Sequence, residues 1–437
     1  MSEMKLILGL GKTGVSCVNY FNKHNKAYRV FDSRDVSEID QTTLKKLDRE
    51  NIFFNNFDKY LFDDIDEIIV SPGFDRSHEI FREISFRKLP CITDIDLFKK
   101  YCKKPIISVT GTNGKTTIVS MLEHVLLSTG IKAIACGNNG VPPLDVNSSN
   151  YDYIILELSS YQLEYMHNHQ SFISLLANID HDHFERHKTM EEYLDVKLKI
   201  FSSCDYPIIN VSLLNITFDV DKTDLIRYGL LKNKIIISNK TVEEISYDYS
   251  NIYYKDRVCL KHKGLHNLEN IIAICSIVSL LSIRLENCLD SLKSYIHLPH
   301  RIEFVKNSNG ISWYNDSKST NSASTKAALN YINSNIILIL GGAMKNMDYR
   351  SLSDLINQKV RILVFIGENK DYIKNQINVK SKILDAKSID DAVILSRDIA
   401  LANDTILLSP ASPSFDMFKN FEDRGEAFKK AVKEYVD

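Results

Sequence analysis

One stretch, Ile106–Thr117, constrains the fold of this chain more than any other and reads Ile-Ile-Ser-Val-Thr-Gly-Thr-Asn-Gly-Lys-Thr-Thr. Its apolar, β-branched start predicts a strand buried on both faces, and helix-compatible residues follow the glycines. A strand, a glycine turn and a helix form a phosphate cradle, because backbone N–H groups and the positive end of the helix dipole face the anion. We expect Lys115 to neutralise phosphate charge and the Thr116 hydroxyl to bind Mg²⁺. The general P-loop has a glycine where Val109 stands, so this motif is a shortened variant, and a glycine-rich turn with a chance lysine is the alternative.

The composition narrows the class of protein. The 437 residues include 54 basic and 56 acidic ones, a net charge of −2, so the charge does not favour nucleic acid or an anionic membrane as a partner. Eight cysteines are scattered without a Cys-x-x-Cys pair, which is typical of reduced thiols in a cytosol. We expect no signal peptide and no bilayer span, because the longest uncharged apolar run, Ile271–Ile283, is too short to cross a membrane. The length predicts about two to four domains.

Residues 1–93 are predicted to form a small α/β domain. A strand at Lys5–Leu8 leads into Gly9-Leu10-Gly11-Lys12-Thr13-Gly14, and a second strand ends at Asp32, where a dinucleotide fold places its ribose-binding acid. A third strand, Glu67–Val70, ends in Ser71-Pro72-Gly73. The glycine motif in this context indicates a nucleotide diphosphate. NAD is the default ligand, UDP would use the same cradle, and a structural turn without a ligand is the alternative.

Two strands of the central region, residues 94–297, lead into residues suited to metal binding. Tyr153–Leu158 is a predicted buried strand with Glu157 near its carboxyl end, where an Mg²⁺-binding carboxylate belongs beside a P-loop. A solvated glutamate would fit poorly between these apolar neighbours. A second strand, Ser174–Asn178, is followed by three histidines among acids: His181, His183 and His187. No His-Glu-x-x-His spacing or cysteine completes a zinc set, so we favour an Mg²⁺ or Mn²⁺ role for one histidine.

Two pairs of polar residues further along have alternative interpretations. Met190–Phe201 is a predicted helix whose Lys197 and Lys199, taken alone, would form a solvated face. Asn267 and Asn270 stand at the first turn of the buried helix, where they could be caps or could face a base.

The third region, residues 298–437, is again predicted to be α/β. Strands at Ile336–Leu340 and Thr405–Leu408 lead into Gly341-Gly342, with Lys345 beyond, and into a serine-rich loop that holds Ser409, Ser412 and Ser414. Open parallel sheets bind ligands outside the carboxyl ends of their strands. We therefore expect Lys345 and these serines at a ligand site.

Taken together, these motifs resemble those of the Mur ligases, ATP-dependent enzymes that add amino acids during peptidoglycan synthesis. The resemblance rests on Gly-Thr-Asn-Gly-Lys-Thr-Thr, the strand with Glu157, the His-Asn at the start of the buried helix and Asn-Asp-Ser-Lys-Ser-Thr-Asn at 315–321, and it runs from residue 6 to about 430. It is greatest for the members that join D-glutamate to UDP-N-acetylmuramoyl-L-alanine. The grounds are the compact first domain, Pro-His-Arg-Ile-Glu at 299–303 and Ser-Pro-Ala-Ser-Pro-Ser-Phe-Asp-Met-Phe at 409–418.

The resemblance implies a three-domain α/β fold and a reaction. An N-terminal Rossmann-like UDP-binding domain (1–93) would precede a central P-loop ATPase-type domain (94–297) and a C-terminal Rossmann-like amino-acid-binding domain (298–437). The γ-phosphoryl group of ATP would activate the alanyl carboxylate as an acyl phosphate, and the amine of D-glutamate would then attack it. ADP and phosphate would be released.

Residue roles also follow from the resemblance. The UDP-linked substrate would be bound by Gly11, Thr13, Gly14, Asp32, Ser33, Arg34, Ser71, Pro72, Gly73 and Asn138. ATP would be bound by Gly111, Thr112, Asn113, Gly114, Lys115, Thr116 and Thr117, with Asn267 on the adenine, Arg301 on the phosphates and Asp316 on the ribose. Two Mg²⁺ ions, replaceable by Mn²⁺, would be held by Thr116, Glu157, His183 and a carbamylated Lys197. The catalytic residues would be Lys115, His183, Lys197 and Lys318. D-Glutamate would be bound by Thr320, Lys345, Ser414 and Phe421, although Phe421 could also be a plain core aromatic.

The chain departs from the family pattern at two places. Asn139 replaces a usual apolar residue and could alter contacts to the muramoyl lactyl group, and Ser412-Pro413 replaces a Cys-Ala type pair and could shift the loop that holds Ser414. Rival interpretations are a folylpolyglutamate synthase, an NAD-dependent oxidoreductase and a nucleotide-binding module without catalysis. We expect a monomeric cytoplasmic enzyme with no nucleic-acid partner and no membrane insertion.

Overall fold

The computed structural model describes residues 4–436, apart from residues 40, 46, 48–50, 168–169, 181, 183–185, 215–224, 233, 249–250, 256, 262–264, 297 and 333–334. Contacts between Cα atoms divide the chain into two compact units. The first comprises Met1–Ile179, Met190–Ile245 and Glu269–Leu292, and the second comprises Asp180–Thr189, Ser246–Leu268 and Lys293–Asp437. Within the described residues, no helix combines the length and the apolar character that crossing a membrane requires.

The first unit begins with a five-stranded parallel sheet in the order β3-β2-β1-β4-β5. Its strands are β1 (Met4–Leu8), β2 (Tyr28–Asp32), β3 (Ile52–Phe54), β4 (Ile65–Val70) and β5 (Cys91–Ile92), and its helices are α1 (Lys12–Lys23), α2 (Gln41–Leu44), α3 (Ile80–Arg87) and α4 (Asp94–Tyr101). The middle strand has apolar clusters on both faces, since Ile7 packs into one and Leu6 and Leu8 pack into the other. This burial holds the glycine turn that follows β1 against the sheet.

An eight-stranded sheet in the order β13-β12-β11-β10-β9-β6-β8-β7 carries the P-loop. Its strands are β6 (Ile106–Thr110), β7 (Ala133–Gly137), β8 (Tyr153–Glu157), β9 (Gln170–Leu176), β10 (Ser203–Asn210), β11 (Ile226–Leu231), β12 (Lys234–Ile237) and β13 (Lys240–Thr241). The helices of this region are α5 (Lys115–Ser128), α6 (Ser160–Tyr165), α7 (Met190–Leu198), α8 (Leu265–Leu280) and α9 (Leu285–Leu292). Every residue of β6 is buried, so the prediction of a strand buried on both faces is confirmed.

One strand of this sheet differs from its predicted bounds. β9 runs from Gln170 to Leu176, whereas the apolar pattern predicted Ser174–Asn178. The apolar pattern missed the start of the strand because that start is polar. Ser171 is nevertheless buried there, and its hydroxyl lies 2.7 Å from the hydroxyl of Ser108 in β6. Asn178 lies beyond the strand and contacts the P-loop instead.

Two further sheets are present among the described residues. A small one contains β14 (Ile245–Tyr247), β15 (Asn251–Tyr254) and β16 (Arg257–Lys261). The second unit is built around six strands in the order β17-β18-β22-β19-β20-β21, namely β17 (Glu303–Ser308), β18 (Ile311–Asn315), β19 (Ile336–Leu340), β20 (Val360–Phe365), β21 (Lys382–Asp385) and β22 (Thr405–Leu408). Its helices are α10 (Ser322–Tyr331), α11 (Ser353–Lys359), α12 (Lys370–Gln376), α13 (Ile389–Ile399) and α14 (Phe421–Tyr435).

The topology of this last sheet creates a ligand-binding edge. Only β17 is antiparallel, and β22 is inserted between β18 and β19. The strand order therefore reverses beside β22, and such a switch point opens a crevice at the carboxyl ends of the strands. Gly341-Gly342 and the loop that begins at Ser409 follow the two strands that meet there. The expected α/β fold is confirmed.

Candidate active site

The P-loop follows β6, which lies between β9 and β8. Its backbone turns at Gly111 and Gly114, whose φ angles are +157° and +78°, and Gly114 caps the N-terminus of α5. The second angle is left-handed and favours glycine, because a Cβ atom is disfavoured there. Lys115 lies back over the loop, and its Nζ donates to the carbonyl oxygens of Gly111 at 2.7 Å and Thr112 at 2.8 Å. The lysine of the motif thus contacts the cradle itself.

Helix α8 closes one side of this turn. A Cβ atom at Gly114 would lie 2.7 Å from Oδ1 of Asn270, which is buried. Asn270 therefore faces the P-loop rather than serving only as a helix cap. Asn267 lies half-buried in the first turn of α8, and its contact with adenine stays a prediction.

Glu157 ends β8 with its side chain buried. Asn138 follows the neighbouring strand β7, and its Nδ2 donates to Glu157 Oε1 at 2.9 Å while its backbone N–H donates to Glu157 O at 2.8 Å. Gly137 permits this approach, because a Cβ atom there would lie 2.4 Å from the same carbonyl oxygen. The structure thus brings together two residues to which different roles were predicted.

Lys197 is buried, with a relative exposure of 1%. Its Nζ donates to Gly111 O at 2.9 Å and to Thr110 Oγ1 at 3.4 Å, and it lies 4.8 Å from the centre of the Tyr193 ring. The solvated-face interpretation is therefore wrong for this lysine. It describes only Lys199, which is exposed.

The predicted metal ligands fall partly outside the described residues, because His183 lies among those left out. Glu157 and the Thr116 hydroxyl are hard oxygen donors, which Mg²⁺ prefers. They lie at the carboxyl end of β8 and in the first turn of α5, and both are buried. These donors fit Mg²⁺. Within the described part of the chain, no group of three or more His, Cys, Asp and Glu side chains is placed to hold a metal. His181 and His183, on which the zinc alternative depends, lie outside that part.

A cavity of about 560 Å³ opens between the glycine turn after β1 and the loop after β7. Nine of the residues predicted to bind the UDP-linked substrate line it, namely Gly11, Thr13, Asp32, Ser33, Arg34, Ser71, Pro72, Gly73 and Asn138, and so does Asn139. Gly14 does not line the cavity. A Cβ atom at Gly14 would lie 1.9 Å from Gly9 O, so this glycine permits the close packing of α1 on the turn.

Asp32 is engaged by its own domain. Its carboxylate accepts from the Leu10 N–H at 2.6 Å, and from Nε and Nη2 of Arg34 at 2.9 and 2.8 Å. Burial alone would raise the pKa of Asp32, but these hydrogen bonds outweigh it and hold the pKa below its ordinary value. Asp32 therefore fixes the glycine turn and places the Arg34 guanidinium at the wall of the cavity.

In the second unit, Asp316 organises the turn that carries Arg301. Its Oδ2 accepts from Ser319 Oγ at 2.5 Å and from Ser409 Oγ at 2.7 Å, and its Oδ1 accepts from Ile302 N at 3.2 Å. Burial raises the pKa of Asp316 to about 6, against the effect of these bonds. Ile302 has a φ of +48°, a left-handed conformation that β-branched residues rarely adopt. The Asp316 carboxylate thus holds a strained turn beside Arg301. The contact of Asp316 with a ribose stays a prediction.

Lys345 lies where the switch-point argument placed it, beyond the end of β19. Its Nζ pairs with Asp182 Oδ1 at 2.7 Å, and Asn321 Nδ2 donates to Asp182 Oδ2 at 2.9 Å. Asp182 is buried and was not singled out from the sequence, because it is one acid among several in a His-rich run. The structure thus adds an acid to the group that contains Lys345.

Phe421 and Lys318 form a second group in this unit. The Lys318 Nζ lies 3.7 Å from the centre of the Phe421 ring, a cation–π contact, and Phe421 is only half-buried. The alternative that Phe421 is a plain core aromatic is therefore wrong. Its predicted contact with an amino-acid substrate stays a prediction, as do those of Thr320 and Ser414.

Sequence reasoning missed Arg424, which holds two site loops together. Its guanidinium donates to Ser317 O at 2.8 Å, Ser317 Oγ at 3.0 Å, and the carbonyls of Ser412 at 3.0 Å and Pro413 at 3.2 Å. The neighbouring Ser412 hydroxyl is also bonded, to Tyr349 and Asn369. A signal existed, because Arg424 is a charge within the buried face of α14.

Comparisons with known proteins identify relatives along the whole chain. Three protein-family models match it in turn: a MurD-like N-terminal domain of Mur ligases at residues 3–93, the Mur ligase middle domain at 109–278, and the glutamate ligase domain of Mur ligases at 300–412. A protein named UDP-N-acetylmuramoylalanine–D-glutamate ligase from Coxiella burnetii is 32% identical over 98% of each chain. One of the same name from Caldicellulosiruptor saccharolyticus is 34% identical over 98% of each.

Solved structures of lower identity share the fold. UDP-N-acetylmuramate–alanine ligase from Thermotoga maritima matches with a TM-score of 0.61 and 16% identity over 99% of both chains. A MurF ligase from the same organism, in complex with ADP, matches with a TM-score of 0.59 and 14% identity over 99% of this chain and 96% of the other. At these identities the likeness establishes the architecture alone.

Proposed function

The chain belongs to the Mur ligase family, and from that premise we propose that it joins D-glutamate to UDP-N-acetylmuramoyl-L-alanine with cleavage of ATP to ADP and phosphate. The observation that carries the proposal is the identity of 32–34% to ligases of that name over 98% of each chain. The reaction belongs to the synthesis of peptidoglycan precursors, on which cell shape and division depend. The scattered cysteines, typical of reduced thiols, support a cytoplasmic location, which cell fractionation would test. A monomer is also proposed, which sedimentation would test.

The large cavity of the first unit is the proposed site of the UDP-linked substrate. Arg34 supplies a cation at its wall, and Ser71 and the turn around Gly11 supply polar and backbone groups. NAD is disfavoured, because the acid that would bind its ribose is already bonded to Arg34 and Leu10. Asn138 reaches from this cavity to Glu157, so it is suited to align the substrate with the phosphate chemistry.

ATP is proposed to bind at the P-loop, with its phosphates on the N–H groups at the start of α5 and on Lys115. The bound Mg²⁺ would be held by Thr116, Glu157 and His183 and would supply positive charge against the phosphates. Lys197 would carry a carbamate. A carbamate keeps one N–H, so its bond to Gly111 O is compatible with the modification. Mass spectrometry of protein equilibrated with bicarbonate tests this, and an unmodified lysine in an active sample would refute it.

The chemistry requires two anions to meet. Lys115 and Arg301 offset the repulsion between the alanyl carboxylate and the triphosphate, and Lys318 acts in the phosphate region. The carboxylate oxygen attacks the γ-phosphorus, the bond to the β-phosphate oxygen breaks, and ADP leaves. The amine then attacks the acyl carbon, the tetrahedral intermediate loses phosphate, and the amine proton passes to solvent or a nearby base.

The amino acid is proposed to bind in the second unit. Lys345 would receive one carboxylate of D-glutamate, with Thr320, Ser414 and Phe421 around it. Because Lys345 is paired with Asp182, the substrate carboxylate would join an existing pair, and Asp182 would keep the lysine oriented.

An ADP-release assay tests the function directly. With UDP-N-acetylmuramoyl-L-alanine and a panel of D- and L-amino acids, D-glutamate is expected to give rapid ADP release and L-glutamate none above background. Turnover of L-glutamate at an equal rate, or reduction of NAD by the protein, would overturn the proposal.

A further inference from the structure

Asn178 lies behind the P-loop and contacts it at three points. The Asn113 N–H donates to Asn178 Oδ1 at 2.8 Å, and Asn178 Nδ2 donates to Asn113 O at 3.0 Å. The Thr112 N–H donates to the backbone oxygen of Asn178 at 3.0 Å. Three consecutive peptide groups of the loop, from Gly111–Thr112 to Asn113–Gly114, are therefore bonded to one residue.

These contacts continue the hydrogen-bond ladder between β6 and β9 beyond the ends of the two strands. β6 and β9 pair up to Thr110 and Leu176, and the Ala177 N–H then donates to Thr110 O at 2.9 Å. The side-chain amide of Asn178 has the same donor and acceptor as a strand residue, so it extends the ladder to Asn113. A loop with glycines at its two turning points has many accessible backbone conformations, and this ladder restricts them.

The contact between Asn178 and the P-loop also determines which backbone N–H groups remain available to bind an anion. The N–H groups of Thr112 and Asn113 point at Asn178, away from the space in front of the loop. The carbonyl of Asn113 is held back by the Asn178 amide, so its negative end does not face a phosphate. Anion binding is thereby left to the N–H groups in the first turn of α5, which have no partner within the helix.

We propose that Asn178 is a positioning residue that fixes the Asn113 peptide and so aligns the start of α5 with the phosphates of a bound nucleotide. This inference depends on the proposed function in one respect, namely that the ligand is an adenine nucleotide. Asn178 contacts the P-loop and does not contact the reacting atoms.

The test is the variant Asn178→Asp, which keeps the size of the side chain and the acceptor for Asn113 N–H. It replaces the amide donor by a carboxylate oxygen that repels Asn113 O. We expect the Kd for ADP, measured by calorimetry on the full chain, to rise roughly tenfold, as does the KM for ATP. The KM values for D-glutamate and the UDP-linked substrate are expected to stay within about twofold.

The chain offers a matched control in Asn357. Its Nδ2 donates to Asn378 O at 2.9 Å and its Oδ1 accepts from Lys380 N at 2.8 Å, a two-way contact of the same kind in the second unit. Asn357→Asp loses the same donor, so a general effect of the substitution on stability would appear in both variants. Only Asn178→Asp is expected to lose affinity for ADP.

The outcomes are distinct. ADP affinity within twofold of wild type in Asn178→Asp, or an equal loss in Asn357→Asp, overturns the proposal. If Asn178→Asp does not fold, Asn178→Ala, which removes both side-chain bonds without adding charge, replaces it, and wild-type ADP affinity in that variant overturns the proposal equally. Wild-type protein that binds ADP but does not ligate D-glutamate would refute the proposed function and leave this test intact.

Discussion

The tripeptide Gly-Lys-Thr occurs twice at the start of a helix, and the two copies place their lysines differently. Gly11 caps α1 with extended backbone angles, φ −74° and ψ −173°, and Lys12 is exposed. Gly114 caps α5 with a left-handed φ of +78°, and the Lys115 ammonium contacts two loop carbonyls. The motif alone therefore does not determine where the lysine lies, and the two capping glycines also differ in backbone conformation.

The supports of the two turns differ in charge. Behind the first stands an acid, Asp32, which is neutralised by Arg34 and bonded to Leu10. Behind the second stand two neutral amides, Asn178 and Asn270. A turn whose own support supplies no negative charge, and whose lysine lies over it, is suited to a triphosphate, whereas the first turn relies on Arg34 as its cation.

The largest expected effect separates the roles of Lys115 and Lys12. Lys115→Ala should slow acyl-phosphate formation about 10²–10³-fold, since a charge aimed at the transferring phosphoryl group is lost. Single-turnover measurement with saturating substrates checks this. Lys12→Ala is the control and should change only the KM for the UDP-linked substrate, because that lysine lines the large cavity. Equal rates for the two variants would refute the distinction.

A third lysine, in the second unit, extends the comparison to another substrate. Lys345→Ala should raise the KM for D-glutamate by about one to two decades, since a charge-assisted contact is worth roughly 1.5–3 kcal/mol. The KM for ATP should hardly change, in contrast to Lys115→Ala. The reverse pattern in steady-state kinetics would assign Lys345 to the phosphates.

The glycines themselves give the next largest effect. Gly114→Ala should lower the free energy of unfolding by about 1–2 kcal/mol for the left-handed backbone. A further loss should follow from contact with Asn270, whose Oδ1 would lie 2.7 Å from the new Cβ atom. Gly11→Ala, with no heavy atom within 4 Å of its Cβ position, should stay within about 0.5 kcal/mol of wild type. Denaturant titrations of both variants measure the difference, and similar losses would show that the cap conformation is not decisive.

These contrasts also show what the sequence could and could not predict. The strands β1 and β6 and their glycine turns follow from local apolar runs and turn chemistry, so both turns were found. The burial of Lys197 was not predictable from α7 alone, because its partners are carbonyls of the P-loop. The role of Asp182 was not predictable for the same reason, since its ion pair with Lys345 joins residues far apart in the chain. Local patterns therefore predict elements, whereas polar partners depend on tertiary structure.

The smallest expected effect is on stability and concerns Asp32, the acid behind the turn that follows β1. The P-loop has two neutral amides, Asn178 and Asn270, in the corresponding place. The folded pKa of Asp32 lies below its ordinary value, so the folded state binds fewer protons than the unfolded state near pH 4. The ionised carboxylate therefore stabilises the fold above the unfolded pKa of about 3.9, and this contribution is lost as the pH falls through the folded pKa. Because Arg34 is 43% exposed, solvent screens the pair, and we expect Asp32→Asn to cost only about 1 kcal/mol at pH 7.

The pH dependence of unfolding decides this last prediction. The difference in unfolding free energy between wild type and Asp32→Asn should begin to shrink below about pH 4, where the unfolded chain takes up a proton at Asp32. It should continue to shrink until the pH lies below the lowered folded pKa of Asp32. Asp94→Asn is a control of opposite sign. Burial raises the pKa of Asp94 to about 7, and its Oδ1 has no hydrogen-bond partner in the described part of the chain. That variant should be more stable than wild type at pH 8 and should approach it on acidification, because the wild-type carboxyl is then protonated and neutral. Parallel pH profiles for the two variants would mean that Arg34 and Leu10 do not set the ionisation of Asp32.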